Sequence, residues 1–260
     1  MTIIVYCVGN FRNAEDSRAQ FMKQRIGLRS ECDVAFIDGF QPEEKYEPFN
    51  TAMFRTKYRR DPTQGEIRCT QVHRFAMREF LGRSEEWALV LEDDATVVEE
   101  FTDFLTQFDY FPREASIILV GQSRQEPKYG WLRRLCDPLF DCRTVSGKWF
   151  IGSNDMINLR GTVGYMVNRE AANILLDSPC AFLADDYSVW RAIGIDLRLI
   201  SSLLIYEDLN TQSLSGNPID LRHGKGMANI LKLLLWATVM KIPQYLLHRQ
   251  DIFYQRFRRK

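Results

Sequence analysis

The apolar run Trp87-Ala88-Leu89-Val90-Leu91 is followed without a break by Glu92-Asp93-Asp94. Five successive apolar residues read as a buried strand, so three carboxylates should stand at its C-terminal end. Ligands of open α/β sheets bind at that end. Adjacent carboxylates repel each other unless a cation neutralises them. Their oxygens suit a hard divalent ion shared with a substrate diphosphate. The plainer alternative is an acidic strand end or a cap for the next helix, since Glu99-Glu100 shows that acids are common here.

The flanking pattern predicts an α/β chain. Residues 2–8 read as a strand broken by Gly9-Asn10, residues 14–27 as a helix with Gly27 at its C-cap, and residues 32–37 as a strand closed by Asp38-Gly39. This βαβ-like opening implies a parallel sheet. The stretch 41–62 is polar, aromatic and irregular, and is expected to be a loop over the site. Val72, Phe75, Ala76 and Phe80 recur at helical spacing and predict a helix over 70–81. A helix over 101–108 and a strand over 116–121 follow. Residues 122–153 are long enough for a functional insertion or lid. A strand over 161–167 leads to a helix over 169–176 that Asn168 can cap. Asp185-Asp186 then precede another helix and a strand over 197–206.

At 260 residues the chain suits one α/β domain, or a domain with a small appendage. With 34 basic and 34 acidic residues, it is not expected to bind nucleic acid. The charge is uneven, however: residues 249–260 carry five basic side chains against one acid. The six cysteines include no CxxC pair and read as reduced thiols. With no secretory signal at the N-terminus, the expected location is the cytoplasm. Residues 230–247 are the most apolar segment, but Lys232, Lys241 and Pro243 interrupt it. That falls short of the roughly 20 apolar residues of a membrane span. Residues 230–260 instead mix Leu, Ile, Trp and Phe with Lys and Arg, the composition of an amphipathic basic helix on an anionic membrane surface. A helix packed on the core with a solvated basic end is the alternative. A core unit over 1–222 and a basic helical tail over 223–260 are therefore expected, with the protein peripheral on the cytoplasmic face of the inner membrane.

Three blocks, in this order and spacing, carry a family resemblance. They are Gly65-Glu66-Ile67-Arg68-Cys69-Thr70-Gln71-Val72-His73, Ala88-Leu89-Val90-Leu91-Glu92-Asp93-Asp94-Ala95 and Gly161-Thr162-Val163-Gly164-Tyr165-Met166-Val167-Asn168-Arg169. With the opening strand, a helix bearing Arg18 and the Ile37-Asp38-Gly39 turn, the chain resembles glycosyltransferase family 25, the lipooligosaccharide-type galactosyltransferases, from its start to about Ser215. It departs from that pattern at Arg68, where the family usually has glycine, and at Val72, where serine usually precedes the histidine.

The resemblance implies a GT-A-type nucleotide-sugar-binding fold, with a mixed, mainly parallel central sheet flanked by helices and an acidic DxD-like motif mapping onto Glu92-Asp93-Asp94. Alternation along an extended segment would set Glu92 and Asp94 on one side. Asp94 is then expected to bind Mn²⁺ or Mg²⁺, with Glu92 contacting the metal or the donor and Asp93 beside the donor. His223 is a further metal candidate, weighed against a surface-loop histidine. Gly65, Glu66, His73 and Gly164 are donor-binding candidates. Against this stand helix capping for Glu66, a partly buried histidine for His73 and tight packing for Gly164. Cys69 and His73 share a helix face, but two ligands alone fall short of a structural zinc site. Asp185 and Asp186 are the candidates for the base that takes the acceptor hydroxyl proton; either could instead cap the next helix.

The implied activity is inverting transfer of a hexose, galactose from UDP-galactose, onto a saccharide hydroxyl of a lipooligosaccharide or related surface glycan. The acceptor would be an oligosaccharide or a lipid-linked saccharide. Metal-dependent nucleotidyl or phosphoryl transfer also uses clustered aspartates, but the chain has no GxxxxGK[ST] loop. A non-catalytic, glycan-binding or scaffolding descendant of such a fold is a third possibility, and the intact Glu92, Asp94 and Asp185 argue against it.

Overall fold

Side chains of β1 (Ile3–Gly9) and β3 (Trp87–Glu92) alternate between two apolar cores. Ile3, Val5, Cys7, Trp87, Leu89 and Leu91 enter one; Ile4, Tyr6, Val8, Ala88 and Val90 enter the other. Both strands are therefore buried on both faces, which is why their sequences are continuous apolar runs. The computed structural model describes residues 3–9, 33–38, 43–122, 139–153, 161 and 163–207. The expected helix over 14–27, the tail over 223–260 and His223 lie outside the described residues.

The remaining strands of the main sheet are β2 (Val34–Asp38), β5 (Ser116–Leu119), β7 (Phe140–Ser146), β8 (Trp149–Ser153), β9 (Gly164–Asn168) and β10 (Asp196–Ile200). The order across its eight strands is β2-β1-β3-β9-β5-β10-β8-β7. The sheet is mixed, as expected, but not mainly parallel. β1–β2, β1–β3 and β5–β10 are parallel, whereas β3–β9, β5–β9, β8–β10 and β7–β8 are antiparallel. The reversal comes from β9, which inserts between β3 and β5 against both.

A second sheet of three strands joins β4 (Ala95–Val97), β6 (Gly121–Gln122) and β11 (Ile205–Glu207) in the order β4-β11-β6. Two of the strands read as continuous in the sequence are thus each divided between the sheets. The run 116–121 switches after Leu119, and 197–206 separates into β10 and β11. A Cβ on Gly121 would stand 2.8 Å from Ile205 Cβ, so the close crossing of β6 and β11 requires glycine.

The described helices are α1 (Thr51–Tyr58), α2 (Gln64–Leu81), α3 (Phe101–Thr106), α4 (Arg169–Asp177) and α5 (Tyr187–Ala192). α1 replaces part of the expected loop over 41–62. α2 starts six residues before the predicted helix over 70–81, because Thr63 and Glu66 form a reciprocal capping box at its N-terminus. Gly65 accordingly lies in the first turn of α2. The part of 122–153 that is described is the β7–β8 hairpin at the sheet edge. No described helix is long and apolar enough to cross a membrane.

Two buried polar side chains tie the helices to one another and to the sheet. Arg74 of α2 donates from Nε to Glu47 Oε2 at 2.8 Å and from Nη2 to the carbonyls of Leu176 and Ser178, both at 2.9 Å, holding the C-terminus of α4. Asn168 caps α4 as expected: its Oδ1 accepts from Ala171 N at 3.0 Å and also from Ser116 N at 2.9 Å, while Nδ2 donates to Glu114 O at 2.9 Å. Asn168→Ala removes the cap and strands the buried Ser116 N–H, so it should cost about 2–4 kcal/mol. Urea unfolding should show a lower midpoint at unchanged slope; an unshifted midpoint would refute this role.

Candidate active site

β3 ends at Glu92, and Asp93-Asp94 form the turn into β4. The expected alternation of Glu92 and Asp94 along one extended segment therefore stops at Glu92. Glu92 keeps the parity of Ala88 and Val90 and faces α2, and its N–H donates to Val163 O at 3.0 Å. Asp93 lies over the end of β1, where a Cβ on Gly9 would stand 2.4 Å from Asp93 Cβ. Gly9 is thus needed to let the acidic turn close. Asp94 feels the charge of Glu207, which the β4–β11 register sets opposite Ala95.

Asp94 is the most perturbed acid of this group. Burial, then the charges of Glu92, Asp93 and Glu207, push its carboxyl up to about 8. Its Oδ1 is buried and makes no hydrogen bond. Glu207 was not anticipated from the sequence. The signal was present, since Ile205-Tyr206-Glu207 ends a strand in an acid just as β3 does, but the predicted strand stopped one residue short.

Behind the turn, His73 is buried on α2. Its Nδ1 is 2.9 Å from Tyr165 Oη, with the two rings stacked at 5.7 Å, and its Nε2 is 3.6 Å from Glu92 Oε1. Burial lowers the imidazole to about 4. It is therefore neutral at pH 7, and its approach to Glu92 is not an ion pair. Cys69, one turn earlier, reaches solvent. Burial nonetheless pushes its thiol well above the ordinary value, with further contributions from Glu92, Asp185, Asp93 and Asp94. Solvent contact combined with dense surroundings describes the floor of a cleft. The four acids named lie within electrostatic reach of that floor.

Asp185 and Asp186 have different surroundings. Asp186 is buried and caps α5: Oδ1 accepts from Ser188 N at 3.2 Å and from the Ser188 hydroxyl. Its Oδ2 accepts from Tyr58 Oη at 2.6 Å, with Lys57 Nζ at 3.5 Å. Asp185 turns the other way, and its Oδ2 accepts from Gly161 N at 2.9 Å. Gly161 has φ +87°, a left-handed conformation that favours glycine. The structure thus brings Asp185 within electrostatic reach of Cys69 and His73 and ties Asp186 to α1 and α5.

The other candidates are placed as follows. Glu66 closes the capping box, with Thr63 N donating to its Oε2 at 2.8 Å, and pairs with Arg60, whose Nη1 donates to Oε2 at 2.7 Å. These bonds, the Arg60 one foremost, lower its carboxyl. Gly164 is packed tightly, since a Cβ there would meet Ile205 Cδ1 at 2.6 Å and Leu91 Cδ2 at 2.9 Å. Arg68 carries its guanidinium over the Tyr46 ring at 4.9 Å, and Tyr46 Oη donates to Asp38 O at 2.7 Å. Arg68 is thereby held beside the C-terminal end of β2.

The profile of glycosyltransferase family 25 (LPS biosynthesis protein) matches residues 8–188, which contain all three sequence blocks. This chain belongs to glycosyltransferase family 25. No curated protein matches it. Among solved structures it is similar to a glycosyltransferase involved in the glycosylation of the major capsid of PBCV-1, at 10% identity and TM-score 0.40, covering 81% of this chain and 95% of that one. It is also similar to a mannose-1-phosphate geranyltransferase from Thermus thermophilus, at 11% identity and TM-score 0.33, covering 77% of this chain and 74% of that one.

In this family 25 glycosyltransferase the raised Asp94 carboxyl has a thermodynamic consequence. From about pH 4 to about pH 8 the folded chain holds a proton at Asp94 that the unfolded chain has lost, so stability at this position falls as pH rises. Asp94→Asn removes that dependence. In chelator-containing buffer the variant should gain on the wild type across this range, by about 2 kcal/mol or more at the upper end. Thermal melts at stepped pH check this; a difference that does not change with pH would refute it.

Proposed function

We propose that this glycosyltransferase is a metal-dependent, inverting hexosyltransferase that moves galactose from UDP-galactose to a saccharide hydroxyl of a lipooligosaccharide or related surface glycan. The observation that carries the metal dependence is Asp94: its Oδ1 is buried without a hydrogen bond, among Glu92, Asp93 and Glu207. An all-oxygen set of this charge fits Mn²⁺ or Mg²⁺, and a divalent cation would relieve the repulsion that otherwise retains a proton. Asp94 and Glu92 would hold the ion, with Glu207 adding negative charge beside them. When bound, such an ion supplies charge stabilisation to the diphosphate as it leaves.

The acceptor hydroxyl oxygen forms its bond to the anomeric carbon as the bond from that carbon to the diphosphate oxygen breaks. The electron pair of the broken bond departs with UDP, and the hydroxyl proton passes to a carboxylate. Asp185 fits this role better than Asp186. Its carboxylate is oriented by the Gly161 N–H and lies within electrostatic reach of Cys69 and His73, whereas Asp186 is committed to Tyr58, Lys57 and Ser188. Neutral His73 stands behind Glu92, its Nε2 3.6 Å from Oε1. Arg68, held beside the end of β2, would offer a cation to the donor phosphates. GT-A-type architecture is consistent with acids at the C-terminal end of a central strand.

Two variants test the assignment with a panel of sugar nucleotides and Mn²⁺. Asp94→Ala should still melt as a folded protein but lose metal-dependent transfer by about a thousandfold or more. Asp185→Asn should still be stabilised by the donor and Mn²⁺ while transfer falls by about a hundredfold or more. Normal transfer by either variant would remove that residue from the mechanism. The basic tail over 230–260 is proposed to rest on anionic membrane where lipid-linked acceptors lie. The full chain should sediment with anionic vesicles and be released by salt; failure to sediment would rule out the anchor.

A further inference from the structure

We propose that Cys69, His73 and Glu92 form a second metal site on the cleft floor, one that takes a zinc-class ion and competes with the oxygen-ligated cation for Glu92. The competition rests on the function proposed above; the site itself does not.

The geometry is close to that of a bound ion. One ligand atom from each residue lies within 4.8 Å of the other two. His73 Nε2 and Glu92 Oε1 are 3.6 Å apart. In a tetrahedral zinc site with bonds of about 2.0–2.1 Å to nitrogen and oxygen, those two atoms stand roughly 3.4 Å apart. A sulfur ligand at about 2.3 Å stands roughly 3.6 Å from each of the others. Closing the set from within 4.8 Å therefore takes a shift on the order of 1 Å at the Cys69 side chain. Cys69 and His73 are four residues apart on α2 and so present their ligand atoms on one face.

An independent observation points the same way. His73 is about 5% exposed and its Nε2 makes no hydrogen bond. Leaving such an atom unsatisfied is costly, and this one is aimed at Glu92. The other ring nitrogen is held by Tyr165 Oη at 2.9 Å. In the tautomer with Nδ1 protonated, Nδ1–H donates to Tyr165 and Nε2 presents its lone pair, the arrangement that outer partners impose on metal-binding histidines. Zinc binding would take the Cys69 thiol to thiolate and release its proton to solvent. Cys69 reaches solvent, so the fourth coordination position opens into the cleft.

The donor set separates this site from its neighbour. Thiolate and imidazole prefer zinc, whereas the carboxylates around Asp94 prefer Mn²⁺ or Mg²⁺. Glu92 lies between the two sites. An ion on Cys69 and His73 withdraws Glu92 from the Asp94 side, so zinc should inhibit transfer in competition with Mn²⁺.

Co²⁺ alone, titrated into the full reduced chain, reads the site directly. A 1:1 complex should show the near-ultraviolet thiolate-to-cobalt band and tetrahedral visible bands, both displaced by Zn²⁺. Cys69→Ser should abolish the thiolate band, and Glu92→Gln should weaken Co²⁺ binding tenfold or more. Asp94→Ala should leave the band unchanged. In transfer assays Cys69→Ser should raise the inhibitory zinc concentration at least tenfold. No thiolate band in the wild type, or an undiminished band in Cys69→Ser, would overturn the site. Equal zinc inhibition of the two proteins would overturn the competition. Asp94→Ala separates the proposals: normal transfer by that variant sinks the function while the cobalt spectrum still decides the zinc site.

Discussion

Mutual repulsion among carboxyl groups that the sheet register forces together is the constraint on which the site depends. β3 delivers Glu92 toward α2, and the turn after it places Asp93 over Gly9 and Asp94 within reach of Glu207's charge. The β4–β11 register then adds Glu207 from more than 100 residues away in sequence. None of these positions can relax independently. β3 is paired on both sides, with β1 and β9, and β4 pairs with β11. The response of this arrangement is protonation, with Asp94 up to about 8. A site in that condition favours a cation, because binding one exchanges a retained proton for a charge that satisfies several oxygens at once.

The rest of the cleft is organised from α2. Its capping box fixes where the helix begins and Arg74 fixes it to α4, so Cys69 and His73 arrive at set heights beneath the acidic turn. Asp185 and Asp186 illustrate the same precision one residue apart. Asp186 starts α5 and is absorbed by Tyr58 and Ser188, which leaves Asp185 pointing toward Gly161 and the cleft. One buried carboxylate thus serves as the anchor that aims its neighbour.

Much of this was legible because the physical signals were local. The β1 and β3 runs are apolar on both faces, Asn168 is an N-cap residue before an apolar helical repeat, and the acidic triplet follows a strand directly. The misreadings also have local causes. Thr63-x-x-Glu66 is a capping signature that extends α2, yet the apolar repeat alone starts it later. Leu197–Tyr206 reads as one strand because periodicity does not register a transfer between sheets, and Glu207 was lost with the true end of β11. The parallel bias followed from the opening β-α-β pattern, whereas β9 reverses its neighbours through long-range pairing that no local pattern encodes.

The sequence by itself determined the α/β class, the strand that carries the acids and the family, since these depend on short-range periodicity and on motifs in order. Tertiary structure alone decided which acids share one field and which aspartate faces the cleft. It also decided that a cysteine, a histidine and a glutamate from two elements meet. Those outcomes depend on register, turn geometry and burial, which arise only when segments far apart in the chain are packed together.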